Sequence, residues 1–353
     1  MAKVRVATIG RSHITELFLD ALSQVEKATY AAAYSRKLED AKAFAEAHGV
    51  SLWFDSLDDL AESDEVDAVY IATPNGLHAK QAKQMIEAGK HVLVEKSFAA
   101  NQKLGQELID LAREKHVVAL EAARNTFGPG PEKLQELIER VGTPRKGTIR
   151  FSKITSRIAK LKAGERVNIF DPYMAAGSLM DIGVYPLEEV MQLFGKPESV
   201  KASALTHKVE PKCDNDPYTL IDLAGEAILT YPLFLIDISY GKVSNDYLSS
   251  QLEGDAGTLL WDEASLPYKF RFIPYVSSGE AFGSRGNGKA EDINLEVPKN
   301  DMVFEVQVFA NAVLGDKEND KTVFEHQQNT LNVLAVSDEI RRQIGVKFPQ
   351  DDE

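Results

Sequence analysis

The chain has 353 residues, enough for about two domains, and its 44% hydrophobic and 27% charged content suits a globular protein with a full core. Fifty-four acidic and 40 basic side chains leave a net charge of −14, which argues against non-specific binding to nucleic acid or to an anionic membrane. The one cysteine, Cys213, excludes an internal disulfide, no apolar run approaches the roughly 18 residues of a membrane span, and the first ten residues already read as a strand, so a cytoplasmic location is expected.

Residues 4–9 are apolar and β-branched, and a helical pattern follows over 14–25. A short strand is predicted at 30–34 and a helix at 39–48, with Gly49 placed to end it. A loop and short helix cover 54–61. Strands at 68–72 and 91–94 flank a helix over 77–88, and a helix at 101–115 leads to a strand at 117–120. This alternation predicts an α/β fold, a doubly wound parallel Rossmann domain over residues 1–123. The rhythm then changes. A helix at 133–140, a strand at 148–154, a basic loop at 156–168 and one long amphipathic helix at 178–194 precede strands at 199–206, 219–230, 234–240, 247–254 and 258–261. Residues 253–257 make a turn between the last two, and residues 279–288 a mobile Gly/Ser-rich loop. Helices at 302–314 and 325–344 end the chain. Residues 124–353 are thus expected to form an α+β domain with a mostly antiparallel open sheet, for substrate binding and oligomerisation.

The first turn reads Gly10-Arg11-Ser12-His13-Ile14-Thr15. Gly10 suits a tight turn, and the N–H groups and dipole of the following helix suit a pyrophosphate. Only one of the three glycines of a dinucleotide fingerprint is present, so an ordinary turn that binds nothing is the alternative. Ser12 offers a hydroxyl in place of the closest-approach glycine. The second strand ends in Tyr34-Ser35-Arg36-Lys37. An NAD site wants an acid here for the ribose; Arg36 and Lys37 suit a phosphate instead. NADP is the favoured cofactor and NAD the alternative. Thr73-Pro74-Asn75 forms a loop in which Asn75 is either a helix cap or a cofactor contact. His78 is either buried structure or a cofactor contact. Glu95 and Lys96 close a buried strand at the crevice where open α/β sheets bind ligands, where a lysine pKa can be lowered toward acid–base use. Arg124 and Asn125 end the last strand, either toward a cofactor or as a domain link. His13, His78 and His91 share no ligand spacing with carboxylates, so no metal site is expected.

Gly89-Lys90-His91-Val92 through Glu95-Lys96, together with Gly177-Ser178-Leu179-Met180-Asp181-Ile182-Gly183-Val184-Tyr185, resembles the Gfo/Idh/MocA oxidoreductase family. The tyrosine form, with Phe170-Asp171-Pro172 upstream, is similar to its glucose-fructose oxidoreductase and dihydrodiol dehydrogenase branch. The resemblance implies that Lys96 is catalytic, that Asp181 and Tyr185 face the nicotinamide, and that Asn75, His78 and Asn125 lie near it. Ser97 stands where relatives carry a cis proline; a trans Lys96–Ser97 bond is expected, because cis without proline costs roughly 2.5–4 kcal/mol. Asp181 and Tyr185, four apart, should share a helix face, with Pro186 bending that helix. Lys96 should lower the tyrosine pKa or exchange the proton itself. The implied activity is NADP-dependent oxidation or reduction at a carbinol or carbonyl carbon of a sugar, polyol or cyclic diol. An NAD-dependent glycoside hydrolase of the same fold and a non-catalytic cofactor-binding sensor are the alternatives. A homodimer or homotetramer is expected through the open sheet face, on the strength of the strand at 234–240 and the run Leu259-Leu260-Trp261.

Overall fold

The computed structural model describes residues 2–277 and 288–353. The predicted loop at 279–288 lies, but for its last residue, outside them. In the first domain β1 (Val4–Ile9), α1 (His13–Ser23), β2 (Ala28–Tyr34), α2 (Leu38–Ala47), β3 (Trp53–Phe54) and α3 (Leu57–Glu62) build one half. The other half is β4 (Ala68–Ile71), α4 (His78–Glu87), β5 (His91–Glu95), α5 (Gln102–Glu114) and β6 (Ala119–Ala122). The strands form one parallel sheet in the order β3-β2-β1-β4-β5-β6. The order reverses between β1 and β4, and a dinucleotide fold binds its ligand at that switch point. The central strands are buried on both faces, which explains why they read as continuous apolar runs rather than alternating ones. Asn101 starts α5 by accepting the Leu104 N–H at 2.9 Å.

The second domain adds α6 (Pro129–Ile138), β7 (Pro144–Ser152), α7 (Ile158–Lys162), α8 (Val184–Phe194), β8 (Ser199–Lys208), β9 (Leu220–Thr230) and β10 (Leu235–Gly241). It continues with β11 (Ser250–Gly254), β12 (Gly257–Glu263), β13 (Leu266–Pro274), β14 (Glu291–Asn294), α9 (Met302–Val313) and α10 (Glu318–Ile344). Its sheet runs β14-β13-β12-β11-β7-β10-β9-β8, antiparallel except where β10 pairs with β7. Residues 266–274 form a strand that the sequence reading left out. The signal was there: Tyr268, Phe270 and Phe272 are buried and alternate with exposed Lys269 and Arg271.

The core of this domain lies between the sheet and α8 and α10, with Leu187, Val190, Ile236, Ile238, Leu252, Val333 and Ile340 buried together. Leu259 and Trp261 belong to it. Of the run Leu259-Leu260-Trp261 only Leu260 therefore turns to the open face, where it lies between Gln251 and Arg271 on the adjacent strands. Leu331 and Leu334 of α10 pack into the core of the first domain with Phe98 and Leu108, which ties the two domains together. No helix among the described residues is long and apolar enough to cross a membrane.

The expected single helix at 178–194 is two elements. Leu179–Gly183 is a wide π turn, and α8 starts at Val184. Pro186 has no N–H to give to the preceding turn, so it lies in the first turn of α8 rather than bending a continuous helix. Gly177 opens the turn at φ +108°, and a Cβ there would stand 2.2 Å from Asp222 Oδ1. Asp222 instead accepts the Leu179 N–H at 2.6 Å, anchoring the turn to β9.

Candidate active site

Two cavities meet between the domains. The first is bordered by Ser12, Ile14, Thr73, Asn75 and Glu95, at the carboxyl ends of β1, β4 and β5. The second is bordered by Phe151, Lys153, Arg157 and Lys242 from the second domain. Lys96, Asp181 and Tyr185 line both.

Lys96 Nζ donates to Asp181 Oδ1 at 2.9 Å and to the Asp181 carbonyl at 2.9 Å. Lys242 Nζ donates to the other carboxylate oxygen of Asp181. Burial disfavours the Lys96 cation, but Asp181, with Tyr185 and Glu95, outweighs it and the pKa is raised. The expected lowering is thus reversed, because the lysine has a carboxylate in contact. Burial would raise Asp181, but Lys96 and Lys242 together hold it well below the usual carboxylate range. Lys242 is pushed down by burial, with Lys96 and Lys153 adding to the effect and Asp181 opposing it.

Tyr185 stands with its ring edge-on to Phe151, and Lys96 Nζ lies 5.2 Å from its ring centroid. The cation is over the ring face rather than at the hydroxyl. Burial therefore wins, and the phenol is pushed up to about 12 despite Lys96.

The Lys96–Ser97 peptide is cis, not trans as expected. Ser97 is held on both sides: its hydroxyl donates to the Met180 carbonyl at 3.0 Å, and its own carbonyl lies 2.8 Å from His78 Nδ1. His78 Nε2 lies 2.7 Å from the Thr73 carbonyl. The histidine is fully buried and bridges two loops, and burial lowers its pKa.

Gly10 has φ +118°, and a Cβ there would come within 2.5 Å of the Ala72 carbonyl. Ser12 precedes α1 without a side-chain cap bond, so its hydroxyl and the helix N-terminus face the crevice unengaged by the helix. His13 is exposed. Ser35 is half-buried at the end of β2, while Arg36 and Lys37 are exposed without ion-pair partners among the described residues. Arg11 is paired with Asp40 at 2.8 Å. Glu95 is buried, accepts the Tyr70 hydroxyl at 2.5 Å, and has its pKa raised by burial. Thr73 Oγ1 donates to Gln81 at 2.6 Å. Asn75 does not cap the following helix; its amide donates to the Ala175 carbonyl at 3.2 Å, across to the second domain. Asn125 is turned away from the crevice, donating to the carbonyls of Tyr185 and Ala264 at 3.1 and 3.2 Å. Arg124 pairs with Asp301. An open turn with a free helix N-terminus, backed by unpaired cations at the end of β2, fits a dinucleotide carrying an extra phosphate.

Sequence reading missed Lys242, Lys153 and Arg157. Lys242 directly follows β10, beside Lys153, whose N–H donates to the Gly241 carbonyl at 2.9 Å. No motif marks them, because the tertiary fold alone brings Lys242 to Asp181 and sets Lys153 and Arg157 in the same cavity wall.

Residues 4–122 match the model of an oxidoreductase family with an NAD-binding Rossmann fold. The chain is 34% identical over 352 residues to a scyllo-inositol 2-dehydrogenase (NADP+) of Bacillus subtilis, covering 99% of each chain. It is 25% identical to a trans-1,2-dihydrobenzene-1,2-diol dehydrogenase of Danio rerio, over 90% of this chain and 89% of that one. Its fold superposes with a TM-score of 0.78 on a 3-ketoreductase of Actinomadura kijaniata solved with NADP and TDP-benzene, at 22% identity over 98% of this chain and all of the other. Sequence, fold and the Lys96–Asp181–Tyr185 junction agree, and the chain belongs to the Gfo/Idh/MocA family of oxidoreductases.

Proposed function

We propose that the protein is an NADP-dependent dehydrogenase or reductase acting on a carbinol or carbonyl carbon of a sugar, polyol or cyclic diol. The observation that carries this reading is the meeting of Lys96, Asp181 and Tyr185 at the wall shared by two cavities. Residues 1–123 form the cofactor domain in this reading and residues 124–353 the substrate domain. Gly10, Ser12, His13 and Ile14 would receive the pyrophosphate, Ser35, Arg36 and Lys37 the adenosine phosphate, and Thr73, Asn75, Glu95 and Lys96 would border the nicotinamide. When bound, the nicotinamide ring supplies or accepts the hydride.

Lys96 and Tyr185 move the proton on the substrate oxygen. Both hold their protons at neutral pH, Lys96 because of Asp181 and Tyr185 because of burial. Each is thus ready to give a proton to a carbonyl oxygen as it becomes a hydroxyl. Asp181 orients Lys96 and keeps it charged. His78 and Ser97 fix the end of β5 and so act on position rather than on the proton. Oxidation of a polyol panel with NADP, followed by absorbance of the reduced cofactor, tests the reading; no turnover with any of them would count against it.

A cytoplasmic homodimer or homotetramer completes the proposal. The lone exposed Cys213 suits a reducing compartment. Exposed Leu205, Ile228 and Leu235 on the open sheet face support self-association there. Light scattering that gives a monomer at micromolar concentration would rule out the assembly.

A further inference from the structure

The second cavity carries more positive charge than its walls balance. Lys242 is 8% exposed, yet it shares Asp181 with Lys96, so two ammonium groups face one carboxylate. Beside them Lys153 and Arg157 border the same cavity, and neither has an ion-pair partner among the described residues. The only other carboxylate in the lining is the exposed Glu263. Arg124, also in the lining, is already paired with Asp301. This concentration of cations sits in a chain of net charge −14, where chance would favour the opposite sign. Backbone pairing builds it: Lys153 donates its N–H to Gly241, and Thr155 donates to the Lys242 carbonyl at 2.9 Å, which sets the two lysines side by side. Lys242 is buried and Lys153 and Arg157 are exposed at the cavity's edge; like charges held close raise each other's energy, and an anion placed among them relieves it.

We propose that the substrate carries an anionic group, a carboxylate or a phosphate, whose charge is met by Lys242, Lys153 and Arg157. This rests on the dehydrogenase reading above and narrows its substrate class: an acidic or phosphorylated sugar or polyol rather than a neutral one. Lys242 then links the two halves of the site. Its ammonium turns in part from Asp181 to the substrate's anionic group, while Lys96 keeps its contact with Asp181.

The test uses the full-length protein with NADPH bound. Quenching of the bound NADPH fluorescence is followed on titration with matched probes: glucose, glucuronate and glucose 6-phosphate, and myo-inositol with its monophosphate. At least one charged probe should bind at least about tenfold tighter than its neutral parent, and the preference should shrink toward one at high salt. Carboxylate against phosphate shows which group the cleft takes. Lys153→Ala should reduce the preference severalfold. Arg157→Ala should reduce it too, but Arg157 also borders the cofactor cavity, so Lys153→Ala is the separating variant. Equal or tighter binding of the neutral parents, no binding of any charged probe, or a preference that survives Lys153→Ala would overturn the inference while leaving the dehydrogenase reading intact. A protein that fails to bind NADPH would overturn both.

Discussion

Lys96 and Asp181 come from different domains and close the site between them, the ammonium donating at 2.9 Å both to the carboxylate and to the backbone carbonyl of the same residue. This double contact fixes the lysine in position and in charge. Lys242 on the other oxygen makes Asp181 the shared counter-ion of two cations.

Replacing Asp181 by Asn should lower the Lys96 pKa, because burial and Lys242 then act on the ammonium without the carboxylate. In the proposed mechanism the protonated lysine gives the proton for reduction, so its loss would begin at lower pH. The alkaline limb of kcat/KM for carbonyl reduction should therefore move down by about one pH unit or more, each unit being about 1.4 kcal/mol. A limb that does not move would show that Asp181 does not control Lys96.

Lys96→Met and Tyr185→Phe should each lose about 10²–10⁴-fold in turnover. Affinity for NADPH should change little in either. Acting on one proton, the two losses should not multiply in the double variant. Full multiplication would indicate independent roles, and undiminished activity in one single variant would remove that residue from proton transfer.

Arg36 and Lys37 are exposed at the end of β2 and have no ion-pair partner among the described residues, so both cations can meet a phosphate. NADPH should bind more tightly than NADH by about 1.5–3 kcal/mol, the worth of a charge-assisted hydrogen bond. Arg36→Ala should remove most of that difference in a fluorescence titration; an unaltered ratio would place the phosphate elsewhere.

Stability should be greater at mildly acid than at alkaline pH. Burial lifts Glu121 to about 7 from 4.5, with Glu95 raising it further and Thr330, Phe98 and Lys96 opposing, and burial lifts Asp222 to about 6 from 3.8. The native state thus holds protons that the unfolded chain has released. Their stabilisation is full below the unfolded values and is lost as pH rises through the folded ones. Thermal melts should show Tm falling between pH 5 and pH 8, by roughly 2–4 °C for each kcal/mol lost. Glu121→Gln retains acceptors and donors for Phe98 and Thr330 and should flatten that slope. A flat wild-type profile would contradict the assignment.

The first domain was legible because its information is local. Each buried parallel strand is a contiguous apolar run, each helix a periodic one, and Lys96 sits at the end of such a run, within a motif that needs no partner to be recognised. Gly10 and the cations after β2 are legible for the same reason. Asp181 and Tyr185 could be named from their motif, but not the π turn that carries them, since its cause lies in Pro186 together with the Asp222 anchor from β9. The partners that set protonation were decided by the tertiary fold alone. Asp181 meets Lys96 across 85 residues and Lys242 across 61, through a domain junction and a strand pairing whose register no local pattern encodes. A side chain's type is written in the sequence, but its charge state depends on which other charges and how much water surround it, and only the packed structure sets those.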